Sequence, residues 1–198
     1  MRRLILASAS PRRRQLLDSA GLTFDVQPAR GVDESWRTGE SAVAYTRRLA
    51  AAKTEAAVDE LGPAAAGTIL IAADTTVWLP RPDMPPLGKP TGRAQAEEML
   101  RLLTAGEAHH VTTAFTLWTQ SGGASTAHET TAVWMRPLKT TELEAYLDTD
   151  DWEDKAGGYA VQGRAASFVT RIEGSYTNIV GLPLAQVLEA LTARDGGP

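Results

Sequence analysis

Ser8-Ala9-Ser10-Pro11-Arg12-Arg13-Arg14 sets two hydroxyls and three guanidinium groups where a short apolar segment meets the start of a helix. Ser10 is a preferred N-cap and Pro11 a preferred first helical residue, so a turn is expected at this point. A helix start carries unpaired N–H groups and a partial positive charge, and arginines there are unfavourable unless an anion sits among them. Arginine forks and helix-start amides both match phosphate oxygens. The competing reading is a solvated basic face. The turn is not a P-loop, because G-x-x-x-x-G-K-[ST] occurs nowhere in the chain.

Asp74 is a second chemical signal, a carboxylate embedded in the apolar run Thr68-Ile69-Leu70-Ile71-Ala72-Ala73. A buried acid needs a cation or a metal; an acid that only ends a strand or caps a turn needs neither. Candidate partners are Glu34 in a polar loop, Lys53 on a long helix and Lys89 in Gly88-Lys89-Pro90. The chain has four lysines against sixteen arginines, and Lys53, Lys89 and Lys155 fall in or beside candidate motifs while Lys139 does not. Lys53 snorkelling along its helix, and Lys89 solubilising its loop, are the plainer alternatives. A third cluster is Asp154-Lys155-Ala156-Gly157-Gly158-Tyr159-Ala160-Val161-Gln162-Gly163. Its small residues let backbone approach a ligand, and Gln162 offers both donor and acceptor. A glycine-rich connection with a packed tyrosine reads equally well.

Mixed strands and helices must position these groups. Arg3 to Ser8 reads as a buried strand, followed by a helix from Ser10-Pro11 that Gly21 stops. Phe24 to Ala29 alternates like a strand, and a helix is expected from about Ser41 to Leu61, ended by Gly62-Pro63. Thr68–Ala73 has the pattern of a strand buried on both faces; Asp74 interrupts it, with Thr75–Leu79 as its continuation. Pro80–Pro90 is a loop, and Thr91 is the expected cap of a helix whose face is Ala96, Met99, Leu100 and Leu103, closed by Gly106. His110–Thr119 and Ala124–Met135 read as strands joined by Ser121-Gly122-Gly123. Thr141-x-x-Glu144 resembles a capping box, Phe168–Ile172 a strand, and Pro183 opens a last helix to about Ala193. The order indicates an α/β protein without repeats, one domain over 1–198, with 194–198 expected as a frayed tail.

Composition narrows the function classes. The net charge is -4 over 198 residues, and apolar residues make up 43%, which suits a folded domain rather than a disordered chain. Five arginines and no acid lie in residues 1–14, so the remainder carries -9. That balance argues against a grip on nucleic-acid polymers. With no cysteine there is no disulfide framework, thiol nucleophile or cysteine metal site. No apolar run approaches the roughly 18 residues of a membrane span. The opening Leu4-Ile5-Leu6-Ala7 is shorter than the ~7–15 residues of an export signal, so no membrane partner and a cytoplasmic location are expected.

In order, Leu6-Ala7-Ser8-Ala9-Ser10-Pro11-Arg12-Arg13, Ala73-Asp74-Thr75, Gly88-Lys89-Pro90, Asp154-Lys155-Ala156-Gly157-Gly158-Tyr159 with Gln162-Gly163, and Gly174-Ser175-Tyr176 with Gly181-Leu182-Pro183 resemble the Maf family of nucleoside triphosphate pyrophosphatases. The resemblance covers nearly the whole chain. It implies an elongated mixed β-sheet flanked by helices, two lobes around a central cleft in a Maf/ITPase-like arrangement, and a homodimer. It implies hydrolysis of a nucleoside triphosphate substrate to the monophosphate and pyrophosphate with Mg²⁺ or Mn²⁺. Under it, Ser8, Ser10 and Arg13 hold phosphate oxygens, Lys53 and Lys89 neutralise further charge, and Asp74 orients or deprotonates the attacking water. Glu34 and Asp74 become the hard-oxygen metal ligands, and Asp154 with Lys155 a further site. Members favouring thymidine and uridine triphosphates carry the residues found here as Arg12, Thr75 and Gln162, which implies dTTP and UTP as substrates, with modified pyrimidine nucleotides as further candidates. An uncharged pyrimidine, with two carbonyls and one N–H, suits an arginine and an amide.

The chain departs from the family pattern at Ala114, at Asp151-Trp152-Glu153 and in the long proline-rich loop Arg81–Leu87. His109, His110 and His128 have no metal-ligand spacing and read as structural. Neither Ser8 nor Ser10 sits in a G-x-S-x-G elbow, so neither reads as an acyl-transfer nucleophile. The alternative function is a non-catalytic nucleotide-binding regulator of cell division and septum formation.

Overall fold

The computed structural model of the chain describes residues 2–81 and 84–194. The expected tail therefore falls outside the described residues from position 195 onward. Strands β1 (Arg3–Leu6), β2 (Asp25–Val26), β3 (Thr68–Trp78), β4 (His109–Thr119), β5 (Gly123–Met135) and β6 (Val169–Glu173) form a mixed sheet in the order β2-β1-β3-β4-β5-β6. β1 runs parallel to both β2 and β3, and β5 antiparallel to β6. Helices α1 (Pro11–Ser19), α2 (Ala42–Leu61), α3 (Arg93–Leu103), α4 (Thr140–Leu147), α5 (Tyr176–Val180) and α6 (Leu184–Arg194) complete the α/β fold. Among the described residues, no helix is long and apolar enough to cross a membrane.

The chain divides into two compact units. In the first, residues 1–74, 113–129 and 181–198, β3 is covered on both faces. Ile69, Ile71 and Ala73 pack with Leu17 of α1 and with Val187 and Leu191 of α6. Leu70 and Ala72, pointing the other way along the strand, pack with Ala57 of α2. That is why the strand reads as an unbroken apolar run; burying each of its large side chains contributes about 1.5–3 kcal/mol. α2 starts at Ser41, whose hydroxyl accepts from the Ala44 N–H, and Gly62 ends it with a positive φ of 51°.

The second unit, residues 75–112 and 130–180, buries the predicted face of α3 (Ala96, Met99, Leu100, Leu103) and Leu143, Tyr146 and Leu147 of α4. Gly174 needs its φ of 122°, and a Cβ there would meet Thr131 Oγ1 at 2.8 Å, so the Gly174-Ser175-Tyr176 corner closes tightly on β5. Ser175 N–H donates to that same Thr131 oxygen at 3.0 Å.

Several local expectations are corrected. β3 runs straight through Asp74 to Trp78 instead of breaking, because the strand ladder uses only backbone groups and Lys53 supplies the carboxylate's counter-charge. Gly92, not Thr91, caps α3; the Thr91 N–H and hydroxyl both turn to Gln95 Oε1, at 2.8 and 3.0 Å. At α4, Glu142 reaches back to the Lys139 N–H at 3.0 Å, while Glu144 is drawn away into an ion pair with Arg93. β2 is only two residues long, and α5 was not expected.

Candidate active site

The parallel pairing of β1 with β3 brings the end of β1 alongside the middle of β3. Ala7 N–H donates to the Ile71 carbonyl at 2.8 Å, so the turn that follows β1 leaves the sheet beside the segment leading to Asp74. In that turn Ser10 caps α1 by accepting from the Arg13 N–H at 3.4 Å, as its type predicts. Ser8, 8% exposed, accepts from the Ser10 N–H at 3.2 Å and from Arg13 Nη1 at 3.0 Å. Arg13 Nε donates to the Gly181 carbonyl at 2.8 Å. The arginine is thus locked edge-on between the turn and the residue that opens α6's approach. Burial pulls its acidity toward release of the proton; the charges of Asp74 and Glu34 oppose that effect, and neighbouring Arg12 adds to it. Those opposing charges tie this turn electrostatically to the second cluster.

That cluster is a three-residue ion network. Lys53 of α2 places Nζ 2.6 Å from Asp74 Oδ1 and 2.7 Å from Glu34 Oε1. Asp74 is 8% exposed, whereas Glu34 lies on an exposed loop. Of the partners that the sequence offers Asp74, the structure brings Lys53 and Glu34 into this network. Two carboxylates are hard-oxygen donors, and Lys53 meets both, at Asp74 Oδ1 and Glu34 Oε1. No group of three or more His, Asp or Glu able to hold a metal occurs among the described residues. The pair therefore fits a cation that keeps waters and phosphate oxygens as its other ligands, as Mg²⁺ does, and does not form a complete cage.

Arg12, in the first turn of α1, is half-buried in the first unit, and Thr75, Lys89, Asp154, Lys155 and Gln162 lie in the second. Thr75, the next residue along β3, is half-buried. Lys89 and Asp154 are exposed and 3.9 Å apart, and Lys155 Nζ donates to the Glu153 carbonyl at 3.0 Å. Asp154 takes a φ of 55°, a left-handed conformation that aspartate tolerates better than most residues. Gly157 N–H donates to the Gly88 carbonyl at 3.0 Å, joining the glycine-rich segment to the loop that carries Lys89. Gly157 takes a φ of 70°, and a Cβ there would press on Val77 Cγ1 at 3.1 Å and Leu103 Cδ1 at 3.2 Å, so the position favours glycine. Tyr159 anchors the segment through His109 Nε2 at 2.8 Å, and Gln162 beyond it is exposed. His110 stacks on Trp78 with centroids 4.6 Å apart, and His128 Nδ1 meets Arg47 Nη1 at 3.2 Å. All three histidines are held by structural contacts.

Tyr45, Arg48 and Glu40 escaped the sequence reading. Arg48 is one of sixteen arginines and carries no rarity signal; only its place one turn after Tyr45 on the helix of Lys53 marks it.

The sequence matches the Maf-like protein family over residues 3–194. A dTTP/UTP pyrophosphatase of Geobacter sp. (strain M21) is 43% identical over 189 residues, covering 95% of this chain and 93% of the relative. The dTTP/UTP pyrophosphatase of Anaeromyxobacter sp. (strain Fw109-5) is 44% identical over 200 residues (99% and 91%), and that of Treponema denticola 39% over 201 residues (98% of each). Among solved structures, a HAM1 protein from Coxiella burnetii superposes with a TM-score of 0.54 at 14% identity, covering 98% of this chain and 100% of that one. The Staphylococcus aureus Ham1 protein gives 0.53 at 13% identity, covering 98% and 99%, and both likenesses concern the fold. With a match over nearly its whole length, the chain belongs to the Maf-like protein family.

Proposed function

We propose that this protein hydrolyses dTTP and UTP, and modified pyrimidine nucleotides of the same shape, to the nucleoside monophosphate and pyrophosphate. The observation that carries the reading is the Glu34–Lys53–Asp74 network, whose Asp74 stands on the strand beside the Ser8–Arg13 turn. Relatives at about 40% identity bear the name dTTP/UTP pyrophosphatase, which supports the substrate class.

In this reading the Ser8 and Ser10 hydroxyls, the first amides of α1 and Arg13 bind the triphosphate oxygens. Lys53 and Lys89 offset charge on the phosphate chain. Asp74 orients the water that attacks the α-phosphorus and accepts its proton, while pyrophosphate leaves with the electron pair of the broken P–O bond. Glu34 and Asp74 would hold Mg²⁺ or Mn²⁺; when bound, the cation supplies Lewis-acid stabilisation of charge on the phosphoryl oxygens. Arg12, Thr75 and Gln162 read the base, and Asp154 with Lys155 forms a further polar contact. Residues 1–198 act as one catalytic domain, a cytoplasmic homodimer that binds neither nucleic-acid polymers nor membranes.

Pyrophosphate release from a panel of triphosphates, with Mg²⁺ or Mn²⁺ present, tests the reading. dTTP and UTP are expected to be cleaved fastest, and Asp74→Asn to abolish turnover while nucleotide affinity is largely retained. Binding without turnover on any triphosphate would overturn it in favour of a nucleotide-binding regulator.

A further inference from the structure

Glu34 stands on a stretch, residues 27–41, with neither helix nor strand, yet it meets Lys53 at 2.7 Å. Something other than secondary structure must hold it, and three side chains near the start of the long helix α2 and its approach do so. The Tyr45 hydroxyl donates to the Glu34 carbonyl itself at 2.8 Å. Arg48 Nη2 donates to the Ser35 carbonyl at 2.9 Å. The same guanidinium makes a two-pronged bond to Glu40, Nε to Oε1 and Nη2 to Oε2, both at 2.8 Å. It also lies over the Tyr45 ring, 5.4 Å from its centroid, and the Trp36 ring packs tilted against Tyr45 with centroids 5.8 Å apart. The Arg48–Glu40 pair is mostly covered, with side chains 19% and 12% exposed, so it is a fixed fork rather than a fluctuating surface pair.

We propose that Tyr45, Arg48 and Glu40 form a strap that positions Glu34 against Lys53 and Asp74, and that the reaction depends on this strap through Glu34 alone. The inference rests on the activity proposed above. None of the three strap residues needs to touch substrate; they act by fixing the backbone that carries Glu34, at its own carbonyl and at that of Ser35. Displacing a functional group by about 1 Å can cost ~100-fold in rate, so an unstrapped loop would be felt in kcat.

The test combines a double-mutant cycle with limited proteolysis. Arg48→Ala and Tyr45→Phe are each expected to lower kcat by roughly 10- to 100-fold, and Arg48→Lys to rescue little, because an ammonium lacks the fork. Combined with Glu34→Gln, Arg48→Ala is expected to add no further loss, the mark of a residue acting through another. Trypsin is expected to cut after Arg30 or Arg37, both in the strapped stretch, about 10-fold faster in Arg48→Ala, where local opening is easier, with sites elsewhere unaffected. Wild-type kcat in both single variants, multiplying losses in the double variant, or an unchanged cleavage pattern would each overturn the proposal. An inactive wild type would instead overturn the proposed activity. The cycle would then be read on affinity for dTTP, where non-additivity supports the strap and independent losses refute it.

Discussion

Lys53 Nζ lies 2.6 Å from Asp74 Oδ1, a bond between the middle of a helix and a strand position 21 residues later. The one carboxylate of β3 is thereby neutralised by one of only four lysines in the chain, and the same ammonium holds Glu34. The side chains of Lys53 and Asp74 are 18% and 11% exposed, so neither charge is fully screened by water.

Lys53→Met removes the cation from two carboxylates while keeping most of the side chain's volume. Leaving a mostly buried acid unpaired should lower stability by about 1–3 kcal/mol, less than for a wholly buried pair because water reaches the site. Turnover should fall by ~100-fold or more, since charge stabilisation in a water-poor site is worth that much. Urea denaturation and steady-state kinetics read the two effects separately. Full activity in the variant would remove Lys53 from the mechanism.

Gln162 is exposed, so its replacement should leave folding alone. Gln162→Glu sets a negative charge against the carbonyl oxygens of a pyrimidine and removes the amide donors. The kcat/KM for dTTP and UTP should drop roughly 10- to 100-fold with an unchanged melting temperature. Equal kcat/KM in variant and wild type would exclude Gln162 from base reading.

His109 is fully buried, and burial, with a smaller contribution from the neighbouring His110, lowers its pKa from 6.5 to about 4. The native state keeps it neutral while the unfolded chain protonates near 6.5, so the unfolded state binds the extra proton between those values. Stability is therefore complete above pH ~6.5 and is lost as pH falls toward 4, by a total of about 3 kcal/mol. Burial moves His110 in the same direction. Unfolding free energies from urea denaturation at pH 7.5 and 5.0 should differ by about 2 kcal/mol in the wild type and by less in His109→Gln. An equal pH slope in the two proteins would show that His109 is not the group responsible.

Much of this architecture can be read from local chemistry. Ser10-Pro11 announces a helix start because a hydroxyl can satisfy an orphan amide, and Ser10 caps as expected; Ser41, near which the long helix is expected to begin, caps it in the same way. The run Thr68–Ala73 announces a doubly buried strand because no polar face interrupts it. What local pattern misreads is set by distant partners. Thr91 fails as a cap because Gln95 competes for it, and Glu144 leaves its expected box for Arg93 on another helix. At the site, Lys53 and Asp74 stand out by rarity and setting. Tyr45 and Arg48 do not, because their importance lies in a backbone carbonyl of a loop that no periodicity describes. The family resemblance implies Arg13 as a phosphate ligand; the structure shows it bonded to Ser8 and Gly181, contacts between distant segments that no local pattern announces.

The position of bond cleavage tests the central claim most directly. If Asp74 delivers water to the α-phosphorus, hydrolysis of dTTP in ¹⁸O-water must place one labelled oxygen in dTMP and none in pyrophosphate, and Asp74→Asn must yield neither product. Label in pyrophosphate, release of inorganic phosphate as the first product, or undiminished turnover in Asp74→Asn would contradict the account.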